Sequence, residues 1–153
     1  MSYRSKGITS LLLLVVSLLF FSGCSKSRAV PTENEAKNAI ESHITQFANL
    51  SPQLMLSQVK VVGIDSFKLL ESYNHDYDYS KLAGRIPGEV DLKYLNQTKS
   101  MYKGDCAIVK VSYVLRFNTQ QDTPPQENQW FFMQKPEQGK WEVGMPLSAA
   151  KRD

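Results

Sequence analysis

Apolar and polar positions divide the chain into one unbroken apolar run, one stripe of helical period and several stretches that alternate. The run is Leu11 to Phe21, LLLLVVSLLFF, in which only Ser17 is polar. The stripe follows Thr32: Ala36, Ala39, Ile40, Ile44, Phe47 and Ala48 recur every three or four residues, the spacing of one buried helix face. Ahead of it, Thr32-Glu33-Asn34-Glu35 forms a capping box, in which the threonine hydroxyl accepts from the backbone of Glu35 and that carboxylate reaches back. Burying Ile40, Ile44 and Phe47 at about 1.5–3 kcal/mol each is what docks such a helix on a sheet. Asn49 and Ser51-Pro52 predict its end.

The alternating stretches come next. Leu56 to Ile64 is rich in β-branched residues and reads as a strand, with Gly63 marking a bulge or bend. It resumes through Phe67 to Tyr73 after Asp65-Ser66, as one long bent strand or as a hairpin. Asn74 to Gly88, with two glycines and a proline among polar and tyrosine residues, reads as a loop. Glu89 to Tyr102 admits a short helix or an extended segment, and the reading favours strand because Thr98 to Tyr102 runs directly into the next one. Asp105 to Phe117 is the clearest strand: Ala107, Val109, Val111, Tyr113, Leu115 and Phe117 share one face, and Lys110, Ser112 and Arg116 share the other with Ile108 and Val114. That pattern predicts an antiparallel strand with one face on a core and one largely wet. Asn118 to Asn128 reads as a surface connection. Gln129 to Lys135 and Lys140 to Met145 then form a hairpin closed by Pro136 to Gly139, and residues 147–153 read as a frayed tail. The pattern as a whole predicts a single α+β domain over residues 32–146, an N-terminal helix packed on an antiparallel sheet.

Composition changes this picture mainly through the first 23 residues. Arg4 and Lys6 precede the apolar run, no acid accompanies them, and the run of 11 residues is much shorter than the roughly 20 a membrane-spanning helix needs. A positive start, a short apolar centre and a small-residue exit are the parts of a cleaved secretory leader, here residues 1–23. The leader holds two of the 18 basic residues and none of the 15 acidic ones, so the rest of the chain carries 16 basic against 15 acidic groups. With those charges scattered, neither nucleic acid nor an anionic lipid surface is an expected partner.

The exit, Leu19-Phe20-Phe21-Ser22-Gly23-Cys24, resembles the lipobox of bacterial lipoproteins, with Phe21 where leucine is usual. The resemblance implies that Cys24 becomes the lipidated N-terminus of the mature protein, its sulfur linked to diacylglycerol and its amine to a further fatty acyl chain such as palmitate. A single chain holds marginally at roughly 0.8 kcal/mol per buried CH₂, whereas several hold stably. Ser25 in the following position implies the outer membrane, facing the periplasm. Residues 24–31 then read as the lipidated end and a tether. Lipidation of Cys24 leaves Cys106 as the only thiol, so no intramolecular disulfide is expected in a compartment that favours them. Cys106 itself, at the start of a strand, reads as a small buried hydrophobe.

The order of helix, strand region, loop, the long strand YKGDCAIVKVSYVLRF and a hairpin ending in GKWEV resembles the small envelope lipoproteins of the nuclear-transport-factor-like, cystatin-like α+β group. That resemblance implies a curved antiparallel sheet wrapped around an N-terminal helix. The group includes isomerase-like and dehydratase-like enzymes, whose pockets use Asp, His or Tyr between helix and sheet, and many members without catalysis.

Candidate chemistry is sparse. His43 falls on the apolar stripe with Ile40 and Phe47, where it is either a general base in a helix–sheet pocket or a partly buried structural histidine. His75-Asp76-Tyr77-Asp78-Tyr79 places Tyr77 and Tyr79 on one side with His75 and the carboxylates on the other, and reads as a solvated turn or a tyrosine-rich contact surface; a calcium loop would need further oxygen ligands, a glycine and a terminal glutamate that are missing. Trp130 and Phe131 must face opposite ways, so one face of the last hairpin is covered by the fold or open to a partner. No cofactor or metal motif occurs. The expected function is a non-catalytic binding or accessory domain, moored by lipid beside an envelope protein partner. The alternatives are an isomerase- or dehydratase-like enzyme using His43, and an immunity or inhibitor lipoprotein that plugs its partner with a loop over Tyr73 to Tyr79.

Overall fold

A computed structural model describes residues 28–50, 58–86, 91–119 and 123–147. The leader, Cys24 and Ser25, the expected helix stop at Ser51-Pro52, the start of the first expected strand, Gly88 to Val90, residues 120–122 and the tail from residue 148 lie outside the described residues. The elements in order are helix α1 (Glu33–Asn49), strand β1 (Val61–Asn74), a short 3-10 helix (Tyr79–Leu82), helix α2 (Leu92–Met101) and strands β2 (Asp105–Phe117), β3 (Gln126–Lys135) and β4 (Glu142–Pro146). The strands form one antiparallel sheet in the order β1-β2-β3-β4, an α+β meander. Among the described residues no helix is long and apolar enough to cross a membrane.

The capping box starts α1 as the sequence predicts. The Thr32 hydroxyl accepts from the Glu35 N–H at 3.3 Å and the Glu35 carboxylate accepts from the Thr32 N–H at 2.9 Å. Ala36 and Ile40 are fully buried against the sheet and Ile44 is half-buried, but Phe47 is 61% exposed. The apolar stripe thus loses its cover toward the end of the helix, contrary to the expectation that Phe47 helps to dock it. At the other end, residues 28–31 of the expected tether belong to the domain: Pro31 is buried, Ala29 packs on the core, and Arg28 pairs with Asp76 at 3.4 Å.

β1 is one long bent strand. Ile64 pairs with Leu115 and Leu69 with Val111, so β1 spends one more residue than β2 over that interval. The extra residue lies at Ser66, whose φ of 48° is in the left-handed region. It restores the phase, so Phe67 and Leu69 stay on the same face as Ile64. Two further register shifts, between Val61 and Gly63 and between Leu69 and Glu71, push Val62 and Leu70 outward.

Helix α2 replaces the strand expected over Glu89 to Tyr102. Asp91 caps it by accepting from the Tyr94 N–H at 3.0 Å, and Leu92 and Leu95, three apart, point into the fold. The extended reading leaned on continuity with the next strand. Lys103-Gly104 breaks that continuity, because a Cβ at Gly104 would collide with the Lys135 carbonyl.

The α2 side overturns a second expectation, that the far face of β2 is largely wet. Cys106 and Ile108 are fully buried there with Trp130, Phe132, Tyr79, Leu82 and Leu95. The sheet is therefore packed on both faces at this end, by α1 on one and by the 3-10 helix and α2 on the other. Toward its far part, at Ser112, Val114 and Arg116, this face of β2 is less covered. Leu147, expected to begin a frayed tail, is buried in the second core and donates its N–H to the Trp130 carbonyl at 2.7 Å.

Candidate functional site

Two adjoining concavities lie along α1, where the helix leaves the sheet. A cleft of about 690 Å³ runs between α1 and the β3–β4 turn, lined by Glu35, Asn38, Ser42, His43, Gln46, Trp141 and Glu142 among others. It adjoins an apolar groove of about 430 Å³ between the last turns of α1 and the sheet, lined by His43, Ile44, Phe47, Ala48, Val61, Tyr113, Leu115, Phe117, Phe131 and Pro146. His43 borders both. The helical period that puts it on the stripe also puts it at the seam between a polar cleft and an apolar one.

His43 is half-buried and packs against Phe47, with ring centroids 4.6 Å apart and an interplanar angle of 48°. Burial holds its imidazole below the ordinary histidine value, which favours the neutral ring. Among the described residues it makes no hydrogen bond or ion pair. The other polar group of the apolar groove is the phenol of Tyr113, pushed upward by burial and therefore neutral. No carboxylate lines that groove. The cleft beside it has Glu35 and Glu142, but Glu35 is committed to the cap of α1 and to Lys135 at 3.8 Å. A general base acting on a substrate needs a partner that orients it; among the described residues no carboxylate orients His43, and the neutral phenol of Tyr113 is the hydrogen-bond donor that shares its groove.

The turn at His75 to Tyr79 alternates as the sequence indicates, with Asp76 and Asp78 exposed and the three rings turned inward. Its tyrosines are not a contact surface. Tyr79 is fully buried, edge-on to Phe132 at 6.4 Å, and Tyr77 is half-buried against Tyr73 at 4.5 Å. The two aspartates serve local structure: Asp78 accepts from the Ser80 N–H at 3.0 Å and from Asn96 at 2.9 Å, and Asp76 pairs with Arg28. Among the described residues no three metal-ligating side chains converge. The Tyr79 hydroxyl and His75 Nε2 are buried without a hydrogen-bond partner among the described residues. Trp130 is core as well, stacked on Tyr73 at 6.5 Å with Lys110 over its ring at 5.6 Å. Cys106 has no exposed surface and burial pushes its thiol up to about 11, an inert core position.

One polar network escaped the sequence reading. Glu71 accepts from the Tyr73 hydroxyl at 2.6 Å and from Arg85 at 2.5 Å, with Lys110 at 3.4 Å from its other oxygen, and Arg85 also donates to the Tyr73 oxygen at 2.9 Å. The Tyr73 hydrogen bond first, then Arg85 and Lys110, hold the Glu71 carboxyl below its ordinary value. Glu71 and Tyr73 are two apart on one strand face, which alternation shows. Arg85 comes from a loop, and nothing in its neighbourhood marks it. The network latches that loop onto β1 and β2 rather than facing a cavity.

Comparison with known protein families, characterised proteins and solved structures finds no match.

Proposed function

We propose that this chain is a bacterial envelope lipoprotein, moored through acylated Cys24 in the outer membrane and facing the periplasm, whose cystatin-like domain binds a protein segment or small apolar ligand without catalysis. The observation that carries the binding half is the groove along α1. It is apolar, open beside an exposed Phe47, and furnished with a neutral histidine and a neutral phenol but no carboxylate. Such a lining suits recognition of an apolar group with one or two hydrogen bonds. The anchoring half rests on the leader and on Ser22-Gly23-Cys24.

Two measurements test it. Mass spectrometry of the membrane-extracted protein should show residues 1–23 missing and a diacylglyceryl adduct on Cys24; an intact leader or a bare thiol refutes the anchor. An apolar fluorescent dye such as anilinonaphthalene sulfonate should bind the folded domain, and Ala48→Trp, which fills the groove, should abolish that binding with the fold retained. Dye binding unchanged in that variant refutes the groove.

A further inference from the structure

The tether is short, and its far end is pinned. Four peptide units separate Cys24 from Arg28, a span of at most about 14 Å when fully extended. Arg28 pairs with Asp76 at 3.4 Å, and its carbonyl accepts from Asn74 at 3.4 Å, which fixes it beside the last residues of β1. Asn74 pairs with Ala107 and Asp105 with Lys135, so the end of β1, the start of β2 and the end of β3 share one end of the sheet. The last turn of α2 belongs there too, since Lys99 donates to the Tyr77 carbonyl and Met101 is four residues ahead of β2.

Leu70, midway along β1, stands apart from the other exposed apolar side chains, which gather at two ends of the molecule and on α2. Val30 stands beside Arg28, Met101 in the last turn of α2 is 83% exposed at this anchored end, and Tyr94, seven residues earlier on the same face of that helix, is 54% exposed. Phe47, Leu50 and Val62 stand at the other, next to Val61 and Phe117. β2 spans the distance between the ends with 13 residues, about 40 Å at some 3.3 Å each.

Resting on the lipidation of Cys24, we infer that the end carrying Arg28, Tyr94 and Met101 is a membrane-contact face that seats on the bilayer holding the anchor, so that the groove beside Phe47 opens away from the membrane. The contact is apolar and interfacial in kind. Arg28 is matched by Asp76 and Lys99 by the Tyr77 carbonyl, Lys93 and Lys103 are exposed on long stems that keep their charge in water, and a tyrosine and a methionine have no cover. Tyrosine at a lipid–water boundary buries its ring and keeps its hydroxyl wet. The tether of at most about 14 Å brings this end of the domain within reach of the anchoring bilayer, and the opposite end, about 40 Å away along β2, lies beyond it.

The full chain, processed in a bacterial host and purified in detergent, is suited to a direct test. Cys24 is blocked by its lipid and Cys106 is buried, so a single new surface cysteine takes a thiol-reactive bimane label selectively. Met101→Cys, Tyr94→Cys and Leu50→Cys proteins are reconstituted into phosphatidylethanolamine–phosphatidylglycerol vesicles containing doxyl-labelled phosphatidylcholine. Flotation and the mass of the N-terminal peptide are read alongside. The labels at 101 and 94 should lose most of their emission to the lipid quencher, while the label at 50 should keep its own. On vesicles with which the protein floats, unquenched labels at 101 and 94, or equal quenching at all three sites from a domain lying on its side, overturn the orientation and leave the anchor standing. Protein that fails to float and carries an unmodified Cys24 overturns the anchor, and the orientation with it.

Discussion

The two faces of the sheet are filled by different means. On the α1 side the core comes from a regular helix and from strand alternation, with Ile40, Ile64, Val109, Val111 and Met133 beside Phe131, Tyr113 and Trp141. It closes tightly near Ala36 and is left open near Phe47. On the α2 side the cover is a turn, a single 3-10 turn, a loop and a ten-residue helix, and the core is dominated by Tyr79, Trp130 and Phe132. Irregular backbone cannot supply a ladder of its own hydrogen bonds, so this face is fastened by side chains: Asp78 with Asn96, Lys99 on the Tyr77 carbonyl, and the Glu71–Arg85 latch. The comparison teaches that regular packing can be left open on one side as a groove, whereas an irregular cover has to be pinned shut.

Removing the central aromatic of the pinned face should have the largest effect. Trp130→Ala is expected to cost about 3–5 kcal/mol, and Ile40→Ala, its counterpart under α1, about 2–5 kcal/mol. Chemical denaturation monitored by circular dichroism gives both numbers; a single cooperative transition in each variant shows that the two faces fold as one unit, and a biphasic curve in either one separates them. Tyr79→Phe should go the other way. Its hydroxyl is buried without a partner, and deleting it removes a desolvation cost of about 1–3 kcal/mol, so the midpoint of denaturation should rise. A fall would mean that the hydroxyl is bonded in solution.

Thr32→Ala breaks the capping box on the regular side and should lower stability by about 1 kcal/mol, with far-ultraviolet circular dichroism confirming the retained fold. The latch on the irregular side is smaller, because its groups are partly solvated, and it is conditional on pH. The folded state lowers the Glu71 pKa, so its contribution is fully present above the ordinary carboxylate range and is lost as pH falls through the lowered folded value. The melting temperature of Glu71→Gln should therefore sit slightly below that of the parent at neutral pH and converge on it in acid; a constant gap denies the charge its role. For His43 the same sign holds with a different window. Its lowered pKa means that the unfolded chain binds the proton more readily, so the fold loses stability as pH drops below the ordinary histidine value, and His43→Gln should flatten that part of the profile.

What the sequence disclosed follows the same division. The capping box, the stripe through Ile40 and the alternation of Asp105 to Phe117 are local patterns with a fixed period, and each predicts its element. His43 at the edge of the stripe is legible for the same reason, whereas the burial of Cys106 follows from its residue type and runs against the alternation, which puts it on the face expected to be wet. The α2 side is not periodic. Asp91 and the helix formers after it are set against the run of Thr98 to Tyr102 into the next strand, and only packing of Leu95 beneath the loop decides between them. Arg85 meets Glu71 across 14 positions of chain, a pairing that no spacing rule contains. The exposure of Phe47 is likewise invisible in its period, because a stripe says which way a side chain points and not how far the partner sheet extends beneath it.

The three phase shifts of β1 bear on how such chains coexist. β1 is an outermost strand of 14 residues, long enough to recruit a strand from a neighbour if its outer edge were straight. Each shift interrupts the regular succession of free amides and carbonyls, and the longest stretch without one is short. The anchor proposed above would crowd such molecules on a two-dimensional surface, where they would meet with edges that do not zip.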